Sequence, residues 1–154
     1  METFVETGTY LGDTPYALMN VFQEIYTIEI NSRLHEWSRI RFSGNEHVHL
    51  LLGDSAVKLP VVLERLDCPA LFWLDGHYSG GITGKGSQDT PILHELDSIF
   101  GHPVCGHVIL IDDARYFTGR NGYPTLQELD EYVSGQEPGY RCEIANDIIR
   151  ITAD

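Results

Sequence analysis

The stretch Phe4-Val5-Glu6-Thr7-Gly8-Thr9-Tyr10-Leu11-Gly12-Asp13 constrains this chain most. A short apolar, β-prone run ends in an acid, passes through a loop with two glycines four residues apart, and enters a helical pattern at Thr14-Pro15. A strand, a glycine loop and a helix in that order open a parallel α/β sheet. The rhythm then repeats. Apolar runs at 25–30, 48–52, 70–74 and 108–111 lead in turn to Glu29, to Gly53-Asp54-Ser55, to Asp75 and to the pair Asp112-Asp113. Helical spacing separates them: Ala17, Leu18, Val21 and Phe22; Leu34, Trp37 and Ile40; Val57, Leu59, Val61, Val62 and Leu63; then Ile92, Leu93, Leu96, Ile99 and Phe100 behind Pro91. Thr125 is placed to cap a short helix through Leu126, Leu129 and Tyr132. Two last runs, 140–145 and 148–152, joined by Asn146-Asp147, read as a terminal hairpin.

At 154 residues, one domain over residues 1–154 is expected. The net charge of -13 opposes binding to nucleic acid, whose affinity for proteins rests on Lys and Arg. No apolar run approaches the ~20 residues that span a bilayer, and the first residues lack a signal-peptide pattern, so a cytoplasmic protein without membrane association is expected. Cys68, Cys105 and Cys142 show neither disulfide nor zinc spacing and read as small apolar fillers of the interior.

Ligands of open α/β sheets bind outside the carboxyl ends of the strands. Six acids, Glu6, Glu29, Asp54, Asp75, Asp112 and Asp113, fall at those ends. Like charges so crowded are costly unless protonated or neutralised by a cation, which points to a divalent metal on Asp75, Asp112 and Asp113. All-oxygen ligands favour a hard ion such as Mg²⁺ or Ca²⁺, with Mn²⁺ also accommodated.

The loop Glu6-Thr7-Gly8 with Gly12, the acid ending the second strand and the Gly53-Asp54-Ser55 turn together resemble the class I S-adenosylmethionine-dependent methyltransferases. The Asp75 and Asp112-Asp113 placement is similar to the metal site of their catechol-type and macrolide-sugar O-methyltransferases. The resemblance covers about residues 2–152 and implies a Rossmann-like, doubly wound sheet, mainly parallel and seven-stranded, with the antiparallel hairpin at its end. It implies an S-adenosylmethionine site formed by Glu6, Thr7, Gly8, Thr9, Gly12, Glu29, Asp54, Ser55 and Asp75, with Glu29 on the ribose hydroxyls and Asp54 at the adenine. Asp54 also reads as a helix cap. The implied activity is methyl transfer to a hydroxyl of a small catechol- or diol-like acceptor, with Asp75 and His77 as catalytic residues. His77 reads as the general base, as a fourth metal ligand or as a loop anchor.

The chain departs from the catechol-type pattern in two places. Tyr78 stands where that family has a lysine, with Lys85 further along a glycine-rich loop at 79–90. Strand one also begins close to Met1, where the family usually carries helices that cover the acceptor. An open acceptor site, or one completed by a second subunit in a homo-oligomer, is therefore expected, with Tyr78, Tyr116, Phe117 and Tyr123 as candidate walls. The rival readings are a non-catalytic cofactor- or partner-binding domain and a metal-dependent hydrolase.

Overall fold

A computed structural model describes residues 1–76 and 90–153. Its strands are β1 (Thr3–Thr7), β2 (Glu24–Glu29), β3 (Val48–Leu52), β4 (Ala70–Leu74), β5 (Val108–Ile111), β6 (Tyr140–Ala145) and β7 (Ile148–Ala153). Helices α1 (Asp13–Leu18), α2 (Ser32–Arg41), α3 (Ser55–Leu63), α4 (Ile92–Phe100) and α5 (Leu126–Gln136) connect them, with a 3₁₀ turn at Ala114–Tyr116. One seven-stranded sheet results, in the order β3-β2-β1-β4-β5-β7-β6, parallel from β1 to β5 and antiparallel at β7 and β6. The expected Rossmann-like architecture and its terminal hairpin are both present. Chain order reverses between β1 and β4, so the crevice where such sheets bind ligands lies at the carboxyl ends of those two strands.

Side chains of a strand alternate between faces, and that period divides the core. Val5, Tyr26, Phe72, Ile109 and Ile151 pack under α3, α4 and α5, whereas Phe4, Ile25 and Leu71 meet Phe22, Phe42 and Val48 on the other face. Thr125 caps α5 in a reciprocal box: its hydroxyl accepts from the Glu128 N–H, and the Glu128 carboxylate accepts from the Thr125 N–H at 2.7 Å. Asn146 and Asp147 turn the hairpin with φ of 56° and 63°, as a two-residue reversal with the right-handed strand twist requires.

Several packing expectations are corrected. Helix α1 stops at Leu18, where a turn takes over with the Val21 N–H on the Leu18 carbonyl, so Val21 is 68% exposed while Phe22 still packs on Phe4. On α2 the buried stripe is Leu34 and Ser38, continued by Phe42, one turn apart each; Trp37 and Ile40 belong to the competing period and are 55% and 65% exposed. Leu93 faces outward on α4. Cys68 and Cys105 are exposed and Cys142 is half-buried, so the cysteines do not fill the core. Among the described residues no helix is long and apolar enough to cross a membrane.

At the opposite edge of the sheet His107 is buried, edge-on to Phe72, with its Nδ1 accepting from the Ala70 N–H at 3.1 Å. Nε2 therefore carries the proton toward His102 Nδ1, 3.1 Å away. Burial, then the neighbouring His102, holds the His107 imidazole down at about 4. The unfolded chain takes up this proton first, so stability is intact above about pH 6.5 and is lost as pH falls toward 4. Urea unfolding at pH 7.5 and 5.0 should show a loss of up to about 2 kcal/mol in the wild type that is missing from the same comparison in His107→Gln.

Candidate functional site

Backbone bonds tie the carboxyl ends of the strands together before any side chain acts. The N–H groups of Gly8 and Thr9 donate to the Ile28 carbonyl, that of Gly53 to Glu29, that of Asp75 to Thr7 and that of Asp112 to Leu74. Gly8 has φ +89°, and a Cβ there would stand 2.3 Å from the Asp75 carbonyl oxygen. No side chain survives that approach, so the glycine is required by the β1–β4 junction itself. Gly12, at φ +77°, precedes α1 with its Cβ direction blocked by the Phe42 ring at 2.9 Å.

Glu29 ends β2 at 5% exposure, with Oε2 accepting from the Tyr10 N–H at 2.8 Å and Oε1 from the Asn31 N–H at 2.7 Å. Each carboxylate oxygen has about two acceptor sites, so one on each remains beyond these bonds. The carboxylate thus fixes the glycine loop against β2 while keeping acceptor capacity. Asp54 caps α3, accepting from the Ala56 N–H at 3.0 Å, and Ser55 begins that helix at low exposure.

Glu6 faces into the protein. Its Oε2 accepts from the Thr27 hydroxyl at 2.6 Å, and the Thr9 hydroxyl, 2.6 Å from that of Thr27, completes the chain as donor. Burial pushes the Glu6 carboxyl up to about 8, so at neutral pH it is held mainly uncharged. Thr7, also buried, sets its hydroxyl at Gly76, next to the Glu95 carboxyl.

The metal expectation does not fit the described residues. Asp112 Oδ1 accepts from the Asp113 N–H at 2.8 Å, and Asp113, at φ 60°, turns its Oδ1 to the Arg115 guanidinium at 2.6 Å. Arg115 is itself drawn toward the hairpin by Asp147, whose Oδ1 accepts the Arg115 N–H at 2.9 Å. Among the described residues no group of three or more His, Cys, Asp or Glu side chains converges as a metal site, so Asp75, Asp112 and Asp113 are not gathered around one point. His77, Tyr78, Lys85 and the glycine-rich loop lie outside the described residues.

Of the candidate walls, Phe117 belongs to the core, Tyr116 is exposed, and Tyr123 lines a small recess, about the size of one water molecule, between the ends of β4 and β5. Burial raises the Tyr123 phenol to about 12. The same recess is lined by Glu95 of α4, 1% exposed, which burial pushes up to about 7. The sequence reading missed Glu95, although a signal was there: it lies within the inward stripe Ile92, Leu96 and Ile99, where an acid is out of place.

The architecture has close counterparts among solved structures. A methyltransferase of Podospora anserina with bound S-adenosylhomocysteine superposes with a TM-score of 0.69 at 18% identity, over 99% of this chain and 72% of its own. The fold is that of the class I methyltransferases. The 23S rRNA methyltransferase ErmE matches with a TM-score of 0.63 at 16% identity over 99% of this chain, which spans only 61% of ErmE. A Staphylococcus aureus protein assigned as a caffeoyl-CoA O-methyltransferase matches at 0.64 and 14% identity, over 99% of this chain and 76% of its own. No protein-family model and no curated protein matches the sequence.

The Gly8 junction allows a direct check on stability. Gly8→Ala should lower the unfolding free energy by about 2–4 kcal/mol, from left-handed strain plus overpacking. Gly44→Ala, at φ +87° with nothing within 4 Å of the added methyl, should lower it by only about 1 kcal/mol in the same urea titration.

Proposed function

We propose that this chain binds S-adenosylmethionine at the carboxyl ends of β1, β2 and β3 and transfers its methyl group to a hydroxyl of a small acceptor. The single observation that carries the reading is Glu29, a buried strand-end carboxylate held by the Tyr10 and Asn31 N–H groups with an acceptor site left on each oxygen. Two adjacent hydroxyls of a ribose match that pair of acceptors. In this reading Gly8, Thr9 and Gly12 shape the loop that the cofactor lies along, Asp54 and Ser55 meet the adenine side, and Thr7 and Asp75 border the methionine end. Glu6 acts through Thr27 and Thr9, holding the loop, and is a positioning residue.

Bound S-adenosylmethionine would supply an electrophilic methyl group on a sulfonium sulfur. The chain's part is to hold the acceptor oxygen in line with that methyl and to remove the hydroxyl proton, and proximity of this kind is worth several kcal/mol. His77 is the residue we assign to the proton, with Asp75 beside it in the chain. Asp113 is engaged by Arg115, so no step of this reading runs through a metal. The excess of acids supports a small acceptor in preference to nucleic acid, and a cytoplasmic setting agrees with the cofactor.

Calorimetric titration of S-adenosylhomocysteine tests the reading. Micromolar binding that weakens at least tenfold, about 1.4 kcal/mol, in Glu29→Ala is the expected result. Absence of binding to the wild type, or equal binding by Glu29→Ala, contradicts it.

A further inference from the structure

The sheet ends at β6, and among the described residues no strand lies beside its outer edge. An edge strand presents a row of N–H and C=O groups ready to pair, and folds usually blunt it with lysine, proline or a bulge. β6 carries none of these devices. Its six residues, Tyr140–Ala145, include no lysine or proline, and they pair with β7 without a break, from Tyr140 opposite Ala153 to Ala145 opposite Ile148. Ile144 of this strand is 52% exposed.

The order of side chains along β6 says what fits the edge. Arg141 and Glu143 flank Cys142 on one face of the sheet, and both are exposed. Tyr140 and Ile144 flank Cys142 on the opposite face, the one on which α5 packs. A second β6 laid antiparallel about a twofold axis at Cys142 therefore sets Arg141 opposite Glu143 of the second copy, and Glu143 opposite its Arg141. The same axis sets each Ile144 opposite the Tyr140 of the other copy. That ring is already held edge-on to Phe100, with its hydroxyl accepting from the Gly106 N–H at 3.0 Å. Moving the axis to Arg141 or to Glu143 brings like charges face to face, so one register is selected. β3, at the other edge of the sheet, has no acid, lysine or arginine in Val48–Leu52 to make such a selection.

Each copy carries a net charge of -13, which opposes association as a whole. A contact between copies must then fall where the sign changes locally. Arg141, together with Arg150 directly across from Glu143 on β7, makes this edge such a place. On the other face Asp130 of α5 stands beside the Cys142 thiol, and its charge works against the contact.

We infer that β6 is a self-pairing edge, where two copies of this chain join β6 to β6 antiparallel about Cys142 into one continuous sheet. β6 lies four strands from β1, roughly 19 Å across the sheet, so the crevice at Gly8 stays open in both copies. The inference stands apart from the methyl-transfer reading and does not depend on it.

Sedimentation equilibrium of the whole chain tests it. At about 100 μM the wild type should be mainly dimeric. Arg141→Glu, which sets two acids opposite each other at both ends of the contact, should raise the dimer Kd at least about tenfold, and Arg141→Gln should raise it less. Ile144→Lys, which puts a charge on the open edge, should also raise it at least about tenfold. Both positions are exposed, so the monomer fold should persist in each variant, as circular dichroism would register. In about 1 M NaCl, where charges are screened within about 3 Å, the gap between the wild type and Arg141→Glu should narrow. A wild type that is monomeric at about 100 μM, a dimer Kd unchanged by Arg141→Glu or by Ile144→Lys, or a gap that salt leaves as it was overturns the inference.

Discussion

The carbonyl oxygen of Asp75 lies where a side chain of Gly8 would be, and the site depends on that approach. Just past the ends of β1 and β4 the two backbones come this close only because Gly8 carries no Cβ at the contact. With Gly8 in place, the Asp75 N–H reaches the Thr7 carbonyl and the loop turns back so that Gly8 and Thr9 donate to Ile28. The Gly53 N–H on Glu29 and the Asp112 N–H on Leu74 continue the same stitching outward. The result is a hydrogen-bonded edge from β3 to β5, on which side chains are placed by backbone bonds.

That edge gives five of its six acids a local means of bearing their charge. Glu6 is held mainly neutral by burial. Glu29 is met by two N–H groups, Asp54 caps a helix, Asp112 accepts the next N–H in the chain, and Asp113 pairs with Arg115. Crowded carboxylates invite a metal only when their charge has no other partner. Here the partners are local and mostly backbone, so a count of acids overstates the charge that is left to neutralise.

The fold was legible because its signal is periodic and repeated. Five apolar runs ending in acids, helical spacing between them and the Asn146-Asp147 turn each point to the observed element, and the strand ends place Glu29 and Asp54 where the reading expects. What the pattern could not show was set by contacts between distant residues. Trp37 and Ile40 fit a helical period as well as Leu34 and Ser38 do, and only packing against the sheet selects between the two stripes. Asp113 looks like a ligand beside Asp112, but Arg115 and Asp147 of the hairpin turn it away. Glu95 was hidden by the same rule that found α4, since an inward stripe is read from its apolar members.

Amide hydrogen exchange with and without S-adenosylhomocysteine tests most directly the central claim that the stitched edge is a cofactor site. Protection should appear at residues 8–12, 29–31 and 53–56, with the exchange of residues 140–153 unchanged. Protection that is absent, or that falls on the hairpin and leaves the Gly8 loop unaltered, would contradict it.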